Sequence, residues 1–123
     1  MEKIAAHAQK DAPIEACGFL IGTEGEITSN LPMTNAEARS DHFTFEPAEQ
    51  FAVYQAVARN EFDIIGVYHS HIFTPAVPSA EDIRLARKQN LLHVIVSLME
   101  GKKTVRGFYI EDGRVDEEPL IAR

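Results

Sequence analysis

An α/β sandwich built on a mixed β-sheet is the fold class this sequence predicts. Three observations lead there. The chain has 123 residues, enough for one domain (1–123) with a sizeable core and no need of staples. Its 45% apolar and 25% charged residues are ordinary for a globular protein. Segments with helical and strand-like apolar spacing follow one another in the order α-β-β-(β)-α-β-α-β-β, without repeat, linker or low-complexity tract.

Residues 3–11 are alanine-rich and favour a helix, which Ala12-Pro13 stops. The short apolar run Ala16 to Gly22 suits a buried strand. Gly25 makes a turn, and Glu26 to Met33 alternates loosely as a second strand. Asn35 to Asp41 is polar and loop-like, whereas His42-Phe43-Thr44-Phe45 alternates like a strand. Pro47 suits a first helical turn. Phe51, Tyr54, Val57 and Ala58 then recur at helical spacing, predicting a helix to about Asn60. The next strand is Ile64–Ser70. Pro75 and Pro78 keep the following segment irregular, and Ser79-x-x-Asp82 reads as a capping box opening a helix to about Gln89. Leu91 to Leu98 and Thr104 to Glu111 complete the strands, and Asp112-Gly113 is a hairpin-type turn.

The formal charge of −7, from 12 Lys+Arg against 19 Asp+Glu, argues against nucleic acid or an anionic membrane as partner. A basic partner or basic extended tail stays open. The run Asp116-Glu117-Glu118 reads as solvated surface. Cys17 stands alone, so no intrachain disulfide forms. The N-terminus lacks the apolar core of a signal peptide, and no stretch approaches the roughly 20 apolar residues of a membrane span. The expected location is the cytoplasm.

His69-Ser70-His71 closes the strand Ile64–Ser70, and Asp82 follows eleven residues later. On a strand His69 and His71 share a face, with Cα atoms roughly 6–7 Å apart. Two imidazoles and a carboxylate suit a divalent metal, and three protein ligands leave a fourth zinc position for water, as in catalytic sites. The other reading is two half-buried strand histidines, with Asp82 favouring a helix N-terminus through the dipole. Other zinc frameworks are excluded. There is no H-E-x-x-H helix. One cysteine cannot build a zinc deaminase or a cysteine-rich structural site. Phe73 and Thr74 stand where a metallo-β-lactamase-type site needs an acid and a histidine. A β/α barrel needs about twice this length.

The spacing His69-Ser70-His71, seven residues, Ser79, two residues, Asp82 resembles the signature of the JAMM (MPN-plus) metallopeptidases. Pro13 to Gly22 is similar to the segment carrying that family's essential glutamate. Asn35-Ala36 and Phe45-Glu46-Pro47 look like its short bacterial members. The resemblance covers nearly the whole chain. It implies a cytidine-deaminase-like sandwich with a curved sheet and zinc (Zn2+) at the sheet edge. It also implies a near-minimal catalytic domain, without long insertions and with little room for the N-terminal strand of many relatives.

By that resemblance His69, His71 and Asp82 bind zinc and Glu15 is the general base. From the residues alone Glu15 reads as an exposed acid near Pro13. Ser79 reads as a helix N-cap worth about 1 kcal/mol; the resemblance adds stabilisation of the oxyanion. Ser70 points to the other strand face and packs. Cys17 reads as a small core residue, His7 and His42 as surface or loop residues, and His93 as a hydrogen-bonded core histidine. The implied activity is hydrolysis of a peptide or isopeptide bond. The implied substrates are ubiquitin-like or sulfur-carrier proteins with an extended C-terminal Gly-Gly tail, which His42–Phe45 could hold by strand addition. Family members often pair through helices, so a homodimer is also expected. A non-catalytic MPN scaffold and a hydrolase of small amides are the alternatives.

Overall fold

The apolar runs assemble into one six-stranded sheet of order β2-β1-β3-β4-β5-β6, in which only β3 and β4 are parallel. The computed structural model describes residues 2–86 and 90–120. Along the chain these are α1 (Glu2–Asp11), β1 (Cys17–Thr23), β2 (Glu26–Met33), α2 (Pro47–Arg59), β3 (Asp63–His71), α3 (Ala80–Leu85), β4 (Leu92–Ser97), a 3₁₀ turn Met99–Gly101, β5 (Thr104–Glu111) and β6 (Arg114–Glu118).

Strand alternation sorts the sheet into two faces. Leu20, Tyr68, Leu92, Val94 and Val96 meet Ile4, Ala5 and Ala8 of α1 on one face. Phe19 and Ile21 pack with Val57 of α2 on the other, and Ile95, Phe108 and Ile110 gather with Ala76 there, with Ile83 of α3 packed against them. The expected sandwich is therefore present, with α1 on one side and α2 and α3 on the other. His69 and His71 alternate with Tyr68 and Ser70, so they belong to the α2/α3 face.

Turn chemistry agrees with the strand ends. Glu24-Gly25 (φ 52° and 78°) and Asp112-Gly113 (φ 50° and 81°) both take the double positive φ of tight hairpins. Asp112-Gly113 leads into β6, which the expected element order lacks. Its charges conceal it: Arg114, Asp116, Glu117 and Glu118 suit an edge strand, and Arg106 of β5 forks onto Glu117 across the pair. Asp116-Glu117-Glu118 is thus largely solvated, as expected, and also part of the ladder.

Two expected elements differ. His42–Phe45 is not a strand; only an isolated bridge joins Phe45 to Asn35. Asn35 takes up its His42 carbonyl and Thr44 amide, and the Ala36 amide its Thr44 carbonyl, instead of a ladder. The helix expected from Ser79 ends at Leu85, because Ala86 has left helical space with ψ 102°. Its expected end at Gln89 lies outside the described residues. Among the described residues, no helix is long and apolar enough to cross a membrane.

Candidate metal centre

The end of β3 carries His69 and His71, both buried, with Ser70 between them pointing away. Ser70 does pack, and does more. Its Oγ accepts the Ala16 amide at 2.7 Å, and its own amide donates to the Ala16 carbonyl at 3.0 Å. That stitches the chain before β1 onto the end of β3. Cys17 pairs with His69 in this antiparallel register, so two positions further, past Ala16 and Ser70, Glu15 comes opposite His71. The expectation of an exposed Glu15, drawn from the residues alone, fails: the side chain is 5% exposed.

α3 delivers Asp82. Ser79 Oγ accepts the Asp82 amide at 3.0 Å, while Asp82 Oδ2 accepts the Ser79 amide at 2.9 Å, a complete capping box with Asp at its third position. The same Oδ2 lies 3.2 Å from His69 Nε2 and 3.2 Å from His71 Nε2, and the two Nε2 atoms are 3.1 Å apart. The three donor atoms thus form a near-equilateral triangle. A tetrahedral zinc with bonds of about 2.0–2.1 Å has ligand–ligand edges of roughly 3.3 Å, so the donor set fits that ion in spacing and chemistry.

The surroundings prepare the donors. His71 Nδ1–H donates to the Pro75 carbonyl at 2.9 Å, which leaves the lone pair on Nε2. Ser97 holds the same loop, donating to the Thr74 carbonyl at 2.5 Å. The Phe43 ring stacks on His69 at 4.8 Å. Burial pushes the Asp82 carboxyl up. The approach of the His69 and His71 rings and the hydrogen bond from the Ser79 amide outweigh it, holding Asp82 well below the usual carboxylate range. Burial lowers His71, but Asp82 and the Pro75 carbonyl raise it more, so the net shift is upward. Burial pushes Glu15 up to about 7, with His71 pulling it down and Asp82 adding to the rise.

A cleft of about 490 Å³ opens over these groups, and Glu15, His69, His71, Ser79 and Asp82 all line it. The structure therefore brings together every residue singled out from the sequence. Cys17 is fully buried, with its thiol pushed up to about 12 by burial, so it is a core residue as expected. His7 is not a surface residue: it sits in α1 with Nδ1 on the Tyr68 hydroxyl at 2.8 Å and Nε2 on Asp11 at 3.0 Å. His42 is on a loop, but it ties that loop to α3 through Glu81 and contacts Glu37. His93 lacks the expected partner, since its Nε2 is buried without a hydrogen bond.

Asn35, marked in the sequence only by its likeness to the short bacterial members, braces the site. It is buried and uses its whole amide: Nδ2 donates to the Glu15 carbonyl at 3.2 Å and the His42 carbonyl at 2.9 Å. Oδ1 accepts the Glu37 amide at 3.1 Å and the Thr44 amide at 3.3 Å. Apart from that resemblance, a loop asparagine carries no local pattern that would mark such a hub. Asn35→Ala strands four main-chain groups and should cost roughly 2–4 kcal/mol in urea denaturation.

Comparison with known proteins agrees with this geometry. Residues 1–109 match the family model described as prokaryotic homologs of the JAB domain. The chain belongs to that family. The JAB-domain assignment bears out the JAMM/MPN resemblance and the sandwich fold drawn from it. The chain is 38% identical over 120 residues to the CysO-cysteine peptidase of Mycobacterium tuberculosis, covering 95% of this chain and 82% of that one. It is 27% identical over 115 residues to a probable TtuB-protein conjugate cleaving protease of Thermus thermophilus, covering 93% and 74%. The solution structure of DSY2949 from Desulfitobacterium hafniense superposes with a TM-score of 0.86 at 38% identity, covering 98% of this JAB-family chain and 86% of that one.

The buried Glu15 has a consequence for the metal-free protein. Its folded pKa of about 7 exceeds the ordinary 4.5, so the folded state holds the proton more tightly than the unfolded chain. Stability therefore falls as pH rises from about 4.5 to about 7, by roughly 3 kcal/mol in total. With metal chelated, Glu15→Gln should equal wild type at pH 4 and exceed it at pH 8. Urea denaturation at the two pH values reads the difference.

Proposed function

We propose that this chain is a zinc peptidase or isopeptidase that cuts after the C-terminal Gly-Gly tail of a ubiquitin-like or sulfur-carrier protein. The observation that carries the reading is the triangle of His69, His71 and Asp82 donor atoms beside the buried, proton-holding Glu15. Two relatives whose names describe cleavage of a CysO conjugate and of TtuB–protein conjugates support the substrate class.

His69, His71 and Asp82 would hold the ion. Zinc, when bound, supplies Lewis acidity that acidifies water and polarises a carbonyl. The chain's own groups do the remainder. Glu15, with a pKa of about 7, takes a proton near neutral pH and returns it to the leaving amine. Ser79 Oγ accepts the Asp82 amide, which leaves its O–H free to donate to the developing oxyanion. Ser79→Ala should lower kcat by about 100- to 1,000-fold if that donor is lost, with only about 1 kcal/mol of stability lost with the cap, read by melting.

The substrate tail lies in the cleft, whose wall includes His42, Phe43 and Phe45. The Thr44 amide is already bonded to Asn35 Oδ1 and its carbonyl to the Ala36 amide, while Asn35 holds the His42 carbonyl. Those bonds occupy the edge that faces Asn35, so strand addition would use the opposite edge, that of the Phe43 amide and carbonyl.

The deciding experiment measures zinc content, then cleavage of a ubiquitin-like carrier fused through its Gly-Gly end to a reporter. The expected result is near one zinc per chain and cleavage after Gly-Gly that chelation stops and zinc restores. Stoichiometric zinc with no cleavage of the fusion or of Gly-Gly amides would favour the non-catalytic scaffold. Cleavage confined to the amides would favour the small-amide hydrolase.

A further inference from the structure

His93 stands in β4 opposite Val67 of β3 and Phe108 of β5. Strand alternation places it on the face of Ile95 and Ser97, the face that carries the metal centre, and its ring lines the same cleft. No described residue hydrogen-bonds to the ring. Among the described residues, its Nε2 is the single buried side-chain nitrogen or oxygen without a partner. The nearby cleft wall is apolar, with Ile64, Val67 and Leu91.

Such a group needs a reason. A half-buried imidazole whose Nε2 is sealed from water without a partner costs stability that a Leu or Phe at the same position would not. Burial pushes its pKa down, so the ring is neutral and has one N–H donor and one acceptor nitrogen. A peptide main chain laid against an apolar wall has the complementary need, because each of its N–H and C=O groups loses water there. The metal centre fixes how far away this happens. Val67 is two residues before His69 on β3, which is about 6.6 Å along the strand. That is the length of two residues of extended peptide.

We propose that His93 is a substrate-binding residue, hydrogen-bonding the main chain of the extended tail about two residues from the bond that is cut. The inference rests on the peptidase reading and deepens it, since it says what the enzyme measures. A tail that ends before reaching His93 leaves the imidazole unpartnered, whereas a longer tail satisfies it. The site thereby favours a carrier tail over a single-residue glycine amide without reading side chains.

The test uses binding, so it is separate from turnover. Two ligands with free C-terminal carboxylates, acetyl-Gly and acetyl-Ala-Leu-Ala-Gly-Gly, are titrated calorimetrically into zinc-loaded wild type, His93→Leu and His93→Gln. Wild type should bind the long peptide more tightly than the short one. His93→Leu should weaken the long peptide about tenfold, the worth of one such hydrogen bond, and leave the short one unchanged. His93→Gln, which can still donate and accept, should recover most of the loss. His93→Leu should also melt no lower than wild type, because it removes a buried unpaired nitrogen. Equal weakening of both ligands would make His93 a structural residue and overturn the proposal. So would an unchanged affinity for the long peptide, or failure of wild type to bind either one. Absence of carrier cleavage alongside a His93-dependent preference for the long peptide would instead count against the catalytic reading alone.

Discussion

Glu15→Gln should keep near one zinc per chain and lose turnover by about 100- to 10,000-fold, the range for removing a positioned proton carrier. The metal is retained because the donor triangle of His69, His71 and Asp82 is complete without Glu15. The fold is retained because Glu15 is placed by its main chain. Its amide donates to the Arg39 carbonyl at 2.8 Å, its carbonyl accepts from Asn35, and Ser70 fixes the next residue. Glutamine keeps the shape of the side chain but cannot take a proton. Metal analysis beside carrier cleavage separates the roles. Loss of zinc would make Glu15 a ligand, and full activity would remove it from proton transfer.

The parts of this molecule legible in sequence are those set by local period. β2 and β5 have the expected ends because their alternation and turns are local, and α2 follows from Pro47 and its apolar spacing. His69 and His71 share a face by strand period alone, and Asp82 is placed by the helix start at Ser79. Glu15 is different. Its position opposite His71 depends on the β1–β3 register across 54 residues, which no local pattern encodes, so only the family resemblance pointed to it. His42–Phe45 shows the converse error. The alternation is real, but Phe43 and Phe45 pack on His69 and Phe19, and Asn35 takes up the His42 carbonyl and Thr44 amide that a ladder would use. The Pro75 carbonyl, which sets the His71 tautomer, is a backbone atom and leaves no trace in residue type. His93 was readable as a strand residue, but its missing partner appears only once the cleft is built.

Asp82→Asn should remove zinc almost entirely and with it carrier cleavage, while leaving α3 in place. Asn keeps an oxygen where Oδ2 accepts the Ser79 amide, so the helix start survives. What is lost is the negative charge that two neutral imidazoles and a divalent ion require. Removing a direct ligand should weaken zinc by more than the roughly 10- to 100-fold that loss of an outer hydrogen-bond partner costs. The metal-free proteins offer a second readout with a definite sign. The folded Asp82 carboxyl lies below its ordinary range, so it contributes stability above the unfolded value of about 4, and that contribution disappears as pH falls. The advantage of wild type over Asp82→Asn should therefore shrink between pH 7 and pH 3, read by urea midpoints, and vanish only below the folded pKa. Asp82→Ala should lose zinc to the same degree but also the cap, and melt below Asp82→Asn. If Asp82→Asn held zinc as tightly as wild type, the carboxylate would be a helix cap and partner of the histidines alone, and the third ligand would have to come from elsewhere in the cleft.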